Sequence, residues 1–297
     1  MKVTTKNATL TLVTPGTKYN QMKTKSFDAT LPADYTSFCA VAGHLLAYAS
    51  ASGRLDVYAN PAKGTLGAPV HSQTIGTGFS VLAAFALGTA AGTTNVQMVL
   101  AYDASTGAMQ FFTISGNALH AQNTAKGPKT CTTMLPFLTW NGSYVLGYDA
   151  ATGSVGTYQL TASGGSNVSV KQVWNPPKKW AAGWTRFGPF QFGHENFFIK
   201  TNAIHHNTYV DHLLDDASLG SHPDHPDVPL DPNLTAVATF VLGGDPCFAT
   251  YQAKNGKTTF NRFTGALLWV EGATDAAVKK GTAAVALSTP EPMLLFY

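Results

Sequence analysis

The sequence predicts an all-β fold: a six-bladed β-propeller of four-stranded antiparallel blades, closed by pairing strands from the two ends of the chain. Three observations predict it. A hairpin motif recurs along the whole chain. A further apolar strand precedes most copies. The last copy is half complete at the C-terminus and needs the first residues of the chain to finish it.

The hairpin motif is "LLAYASASG" ending at Gly53, "VLAYDASTG" at Gly107, "VLGYDAATG" at Gly153 and "FATYQAKNG" at Gly256. Each is an apolar run, a Tyr and then a Gly, followed by an alternating segment such as "RLDVY" or "SVGTY". Strand, Gly-bearing turn, strand is a β-hairpin, with Gly supplying the positive φ of the turn. Two copies are degenerate. "NFFIKTNAIHHNTYVDHL" carries Lys200 at the Tyr position, and "PMLLFY" stops at Tyr297. The markers at 48, 102, 148, 200, 251 and 297 recur about every 50 residues, the scale of a propeller blade. A similar interval leads from Tyr297 through the N-terminus to Tyr48.

In chain order, Asn7–Val13 and Tyr19–Phe27 supply the outer strands of the last blade. The innermost strands of the six blades are "TSFCAVAG", "FSVLAAFALG", "TMLPFLTWNG", "TRFGPFQFG", "TAVATFVLGG" and "TAAVAL". Outer strands follow in "GAPVHSQTI", "SVKQVWN" and "ALLWVEG". Four antiparallel strands repeated radially leave only short, protected edges. The 297 residues are thus expected to form one domain.

Composition agrees. The chain is 44% hydrophobic but only 12% charged, with 28 Gly, against about 25% charged in an ordinary soluble domain. A net charge of +3 with scattered lysines offers no basic stripe, so no nucleic-acid partner is expected. The N-terminus lacks the apolar stretch of a signal peptide, and no window is long and apolar enough for a membrane helix. The expectation is a cytoplasmic or non-classically secreted protein with no membrane partner. Cys39, Cys131 and Cys247 imply no disulfide framework. N-x-[ST] sequons stand at Asn7, Asn141, Asn167 and Asn233.

The segment Ile204–Asp227 holds five of the nine histidines. In a propeller, the links between blades and the turns between second and third strands share one face, here called the top. His205 and His206 fall in the top turn of the fourth blade. His212 ends the third strand, six residues or about 20 Å away, so one metal cannot bind all five. His212, His222 and His225 are the weak candidates for a metal pair or trio. The spacing fits no structural zinc motif, and Pro223, Pro226, Pro229 and Pro232 make the stretch a solvated loop. No metal and no cofactor are expected.

The link before the fourth blade, "WNPPKKWAAGWTRFGPF", carries Trp174, Trp180, Trp184 and Arg186. Indole faces stack on sugar rings, and guanidinium groups grip oxygen ligands. Trp174 and Trp184 are expected to wedge between blades, and Trp180 to be exposed. The candidate ligand-binding set is Trp180, Trp184, Arg186, His205 and His206. Catalytic candidates are His205, His206 and, around the central channel, Asp34, Tyr35 and Asp275. No G-x-S-x-G, H-E-x-x-H, P-loop, G-x-G-x-x-G or sialidase-type turn motif occurs in a supporting context.

"GWTRFGPFQFG" together with "YVLGYDAATGSVGTYQL" resembles the repeats of β-propeller proteins from bacteria and fungi. In these, a Gly-Trp-Thr strand leads to an apolar strand and then Tyr-Asp-x-x-x-Gly. The resemblance is sharp over Leu135–Phe198. Blade number and hairpin form are similar to those of six-bladed fungal fucose-binding lectins. Those lectins repeat an Arg/Glu/Trp set in nearly every blade, whereas Arg here stands only at 54, 186 and 262. Two readings follow. One is a carbohydrate-binding, lectin-like recognition propeller with a glycan or small-molecule ligand. The other is an enzyme of hydrolase, lyase or cyclase type, His-assisted, with a single top-face pocket near the fourth blade.

Overall fold

The computed structural model describes residues 5–14, 23–59, 65–88, 95–192, 195–205, 207–220, 234–242, 245–263, 269–277, 284–287 and 293–296. The chain is an all-β propeller of four-stranded antiparallel blades. Two strands open it, β1 (Thr5–Thr14) and β2 (Lys23–Pro32). Five sheets of four consecutive strands follow. The first comprises β3 (Ser37–Val41), β4 (His44–Ala49), β5 (Arg54–Tyr58) and β6 (His71–Thr74). The second is β7 (Val81–Leu87), β8 (Val96–Asp103), β9 (Ala108–Ser115) and β10 (Ala118–Lys126). The third is β11 (Thr133–Thr139), β12 (Gly142–Tyr148), β13 (Val155–Ala162) and β14 (Val168–Trp174). The fourth is β15 (Trp184–Phe192), β16 (Glu195–Asn202), β17 (Thr208–Leu213) and β18 (Leu219–Gly220). The fifth is β19 (Ala236–Leu242), β20 (Asp245–Gln252), β21 (Lys257–Phe263) and β22 (Trp269–Ala277). Finally β23 (Ala284–Leu287) and β24 (Met293–Phe296) join the opening hairpin in a composite sheet of order β2-β1-β24-β23. Its register runs from Thr9 opposite Phe296 to Leu12 opposite Met293.

The innermost strands β3, β7, β11, β15, β19 and β23 are neighbours in that order, and β23 also lies against β3. The core is therefore divided into radial seams between sheets. One seam joins Leu46, Tyr48 and Val57 of the first sheet to Val99 and Phe112 of the second. Another joins Leu146 and Tyr148 of the third to Trp184 and Phe198 of the fourth. Both faces of the second strands β4, β8, β12, β16 and β20 are largely buried, which is why these strands read as mostly apolar runs.

In the first three sheets the repeated Tyr ties the sheet to the next link. The Tyr48 hydroxyl donates to the Gly76 carbonyl, that of Tyr102 to Pro128, and that of Tyr148 to Ala181, at 2.7–2.8 Å. Each also accepts a backbone N–H from a residue at or just before the start of the next sheet: Phe79, Cys131 and Trp184. Beside each Tyr, a hydroxyl from Thr36, Ser80, Thr132 or Thr235 donates to the Tyr carbonyl. The turn Gly completes the joint. Gly153 has φ of 73°, its carbonyl accepts from Trp180 N–H at 3.0 Å, and a Cβ there would meet the Trp180 oxygen at 2.0 Å.

The fourth copy departs from the expected alignment. The side-chain oxygen that holds its top turn belongs to Asn202, which accepts from Ile204 N–H as Asp103 and Asp149 do from Ser105 and Ala151. Thr201, not Lys200, therefore stands at the Tyr position. A one-residue shift sends a strand side chain to the opposite face, and Lys200 points back into the seam with the third sheet.

Other boundaries differ as well. The second outer strand of the composite sheet begins at Lys23 and runs to Pro32 rather than spanning Tyr19–Phe27. The second sheet's outer strand, "ALHAQNTAK", was not foreseen, because an edge strand with a largely exposed face carries no apolar run. Asp275 does not lie by the central channel but on the outermost strand of the fifth sheet. It sits within β22, opposite Thr259, because pairing continues past a register shift to Ala277. In the fourth sheet the loop from Asp215 yields a two-residue strand, Leu219–Gly220, paired to His212 and Leu213. His222 and His225 lie outside the described residues.

Candidate functional site

The axial space is a cavity of about 550 Å³ walled by five innermost strands. Phe38, Leu82, Met134, Pro136, Phe190 and Phe240 typify its lining. Among the described lining residues there is no carboxylate, imidazole, ammonium or guanidinium. The Cys39 thiol is the ionisable group present, and burial pushes its pKa up to about 12. The Thr239 hydroxyl is already donated to the Pro189 carbonyl. The described lining residues offer apolar surface and shape, with none of them poised for proton transfer near neutral pH.

Asp34 and Tyr35 do not line this cavity. They lie where the first sheet meets the composite sheet, with Tyr35 in one cluster with Leu10, Leu31 and Tyr58. Arg54 bridges Asp34 at 2.8 Å and the buried Asp56 at 3.0 Å. Tyr35 donates to Asp56 and shares a 2.8 Å hydrogen bond with Tyr58. Burial, then the Asp56 and Tyr58 contacts, raise the Tyr35 pKa far above the usual phenol range. This network ties β5 of the first sheet to the link that follows β2.

Beside the fourth sheet, the top turn and the preceding link do meet. Ala203 N–H donates to the Gly183 carbonyl at 2.8 Å, and the Asn202 amide donates to Ala182 at 2.8 Å. The aromatic rings, however, are turned inward. Trp184 is buried and edge-on to Tyr209 at 5.5 Å, and Trp174 is partly buried in the same seam, as a wedging role requires. Trp180 is half-buried rather than exposed, with its ring 5.5 Å from Tyr148 and 6.0 Å from Phe198. Between the rings sits Lys200, whose ammonium is 3.8 Å from the Trp180 centroid and 4.7 Å from that of Trp184. Lys200 pairs with Asp211. Burial holds its pKa below the ordinary lysine range, and Asp211 opposes that shift.

His205 is exposed, with its backbone N–H held by Asn202; His206 lies outside the described residues. His212 stacks on Phe197 at 4.6 Å, with its Nε2 at 3.8 Å from Glu195. No group of three or more potential metal ligands occurs among the described residues. Sequence reasoning missed the Lys200–Asp211 pair and the Asp34–Arg54–Asp56 network. Aligning the copies on the turn-capping Asp/Asn, rather than on the apolar runs, would have exposed Lys200 as an intruder at a position otherwise held by Ala47, Ala101, Gly147 and Thr250.

These features define a β-propeller. No protein-family model matches the chain, and neither does any curated protein. Solved structures share the fold. A functionally unknown protein from Desulfotomaculum acetoxidans is 10% identical with a TM-score of 0.53, over 92% of this chain and 79% of that one. A candidate 6-phosphogluconolactonase from Bacteroides uniformis is 10% identical with a TM-score of 0.50, over 92% and 97%. A chain of a nidogen/laminin complex is 10% identical with a TM-score of 0.51, over 90% and 93%. At such identities the likeness concerns the fold.

Proposed function

We propose that this protein is a recognition propeller, a closed ring of six blades that takes an apolar small molecule in its axial cavity. Six four-stranded sheets and the β1–β24 pairing support the closed ring. Deleting Met1–Phe27 then removes pairing from β24 and destroys cooperative unfolding; a truncated protein that melts like the parent refutes the ring.

The observation that carries the binding role is the lining of the cavity. A volume of about 550 Å³ falls in the range of small-molecule sites, roughly 300–1,000 Å³. Its described walls provide apolar contact without an acid or base. The glycan version of the reading loses support, since Trp184 is buried and the half-buried Trp180 already has the Lys200 ammonium over its ring. The test uses a neutral apolar fluorophore, N-phenyl-1-naphthylamine. It binds saturably to the parent, and Ala238→Trp, which fills the cavity from β19, abolishes the signal while the fold persists. Unchanged binding by this variant moves the site elsewhere.

The enzyme reading rests on the name of the Bacteroides uniformis neighbour, which suggests lactone hydrolysis. Turnover of a sugar-acid lactone that falls at least tenfold in His205→Ala, a barrier change of about 1.4 kcal/mol, favours it over pure recognition.

A further inference from the structure

The register of the fourth sheet leaves a second place where a ligand fits, away from the axial cavity. In four sheets a row of cross-strand neighbours carries its bulk on the second strand. These rows are Ser37–Tyr48–Leu55, Val81–Tyr102–Met109, Thr133–Tyr148–Val155 and Ala236–Tyr251–Thr258. In the fourth sheet the row is Arg186–Thr201–Thr208. Directly opposed residues point to the same face of a sheet. That face looks toward the fifth sheet, because Phe197 and Ile199, four and two residues before Thr201, pack with Phe248 and Phe263. A register shift between Trp184 and Arg186 brings the arginine opposite Thr201. A cationic side chain and a small hydroxyl thus occupy the row in which the other sheets carry a tyrosine.

Each group has a buried polar atom left unmet among the described residues. Thr201 is 5% exposed, and among the described residues its Oγ1 and the buried Arg186 Nε have no hydrogen-bond partner. Arg186 Nη1 donates to the neighbouring Thr185 hydroxyl at 3.3 Å. Among the described residues no carboxylate pairs with this guanidinium, whereas Arg54 and Arg262 each bridge an aspartate. Burial lowers the Arg186 pKa from the ordinary arginine range, as expected of a cation partly removed from water. Buried polar atoms in proteins are mostly satisfied; five others among the described residues, Asp56 Oδ1 among them, share this lack, but Arg186 and Thr201 stand directly opposite each other. A guanidinium presents a planar fork matched to two oxygens of one anion, and a hydroxyl at its side adds a donor.

We propose that Arg186 and Thr201 form an oxyanion site in the seam between the fourth and fifth sheets, taking the carboxylate or phosphate group of a small ligand. This inference does not depend on the axial reading. Its test is calorimetric titration of the full-length protein with inorganic phosphate and, separately, with succinate. The parent binds at least one of them saturably, with a dissociation constant on the order of 1 mM or tighter. Which anion binds separates the phosphate source from the carboxylate source. Binding persists at about 0.15 M chloride, because a half-buried site is less screened than a surface one. Arg186→Gln and Thr201→Val, both close in shape, weaken binding at least tenfold and fivefold while circular dichroism shows a folded sheet. Three results overturn the proposal: no saturable binding of either anion, undiminished binding by Arg186→Gln, or a non-binding parent in which Arg186→Gln lowers the melting temperature, which assigns Arg186 to an internal ion pair.

Discussion

Tyr148→Phe tests the joint that repeats around the propeller. The hydroxyl makes two bonds across the seam, donating to the Ala181 carbonyl at 2.7 Å and accepting the Trp184 N–H at 3.3 Å. The substitution keeps the buried ring and removes both bonds, leaving the Trp184 N–H unmet in the seam and the carbonyl of the exposed Ala181 partly open to water. Leaving a buried polar group unmet costs about 1–3 kcal/mol. The 3.3 Å bond is the weaker, so the sum should be about 2 kcal/mol. For a chain of 297 residues, at about 2.1 cal/mol/K of unfolding entropy per residue, that corresponds to a fall of roughly 3 °C in melting temperature. Scanning calorimetry reads it. Tyr102→Phe should behave alike, because its hydroxyl makes the same pair of bonds to Pro128 and Cys131. A change below about 1 °C in both variants would refute the view that these hydroxyls tie the sheets together, and would assign the Tyr positions to ring packing alone.

Gly153→Ala should destabilise by about 3 kcal/mol or more in urea unfolding, since it adds both positive-φ strain and a steric clash with the Trp180 oxygen. Asp211→Ala should cost about 3–5 kcal/mol by leaving Lys200 charged and unpaired in its aromatic cage; the double change Lys200→Met, Asp211→Leu should recover most of that loss. The pH dependence of Lys200 has a definite sign. Its folded pKa is lowered from 10.5, so in the window between the two values the unfolded chain binds more protons and stability rises with pH. Lys200→Met should remove that alkaline rise from the unfolding curve. Cys39, Cys131 and Cys247 are buried, with burial raising their pKa values to about 12, 11 and 12. Ellman's reagent at pH 8 should therefore label none in the native protein and all three in denaturant.

The hairpins and the innermost strands were legible in the sequence because both depend on local signals: a buried strand is an apolar run, and the turn demands Gly. The outer strands were harder. β10 and β18 are polar or very short, and a strand that covers only one face leaves no pattern beyond its pairing. Lys200 was misplaced because "NFFIKTN" aligns by hydrophobicity one residue away from its alignment by turn capping, and only Asn202 distinguishes the two. Trp180 looked exposed in a Lys- and Pro-rich link because the link's inward fold is decided by Tyr148 and Phe198, both distant in sequence. The Arg186–Thr201 row was invisible for the same reason. Cross-strand opposition depends on a register shift at Trp184 that no local motif announces.

The pairing of β1 with β24 sets the order of events on the ribosome. The first five sheets can each form from a single short stretch as it emerges. The composite sheet waits until β24 has been made, which at about 5–20 residues per second is tens of seconds after β1 appears. During that interval the β1–β2 hairpin carries a bare edge of backbone donors and acceptors, able to accept a strand from any nascent copy alongside. Dense polysomes should therefore favour exchanged dimers in which each chain lends its β24 to the other, and slow, sparse expression should favour the monomer.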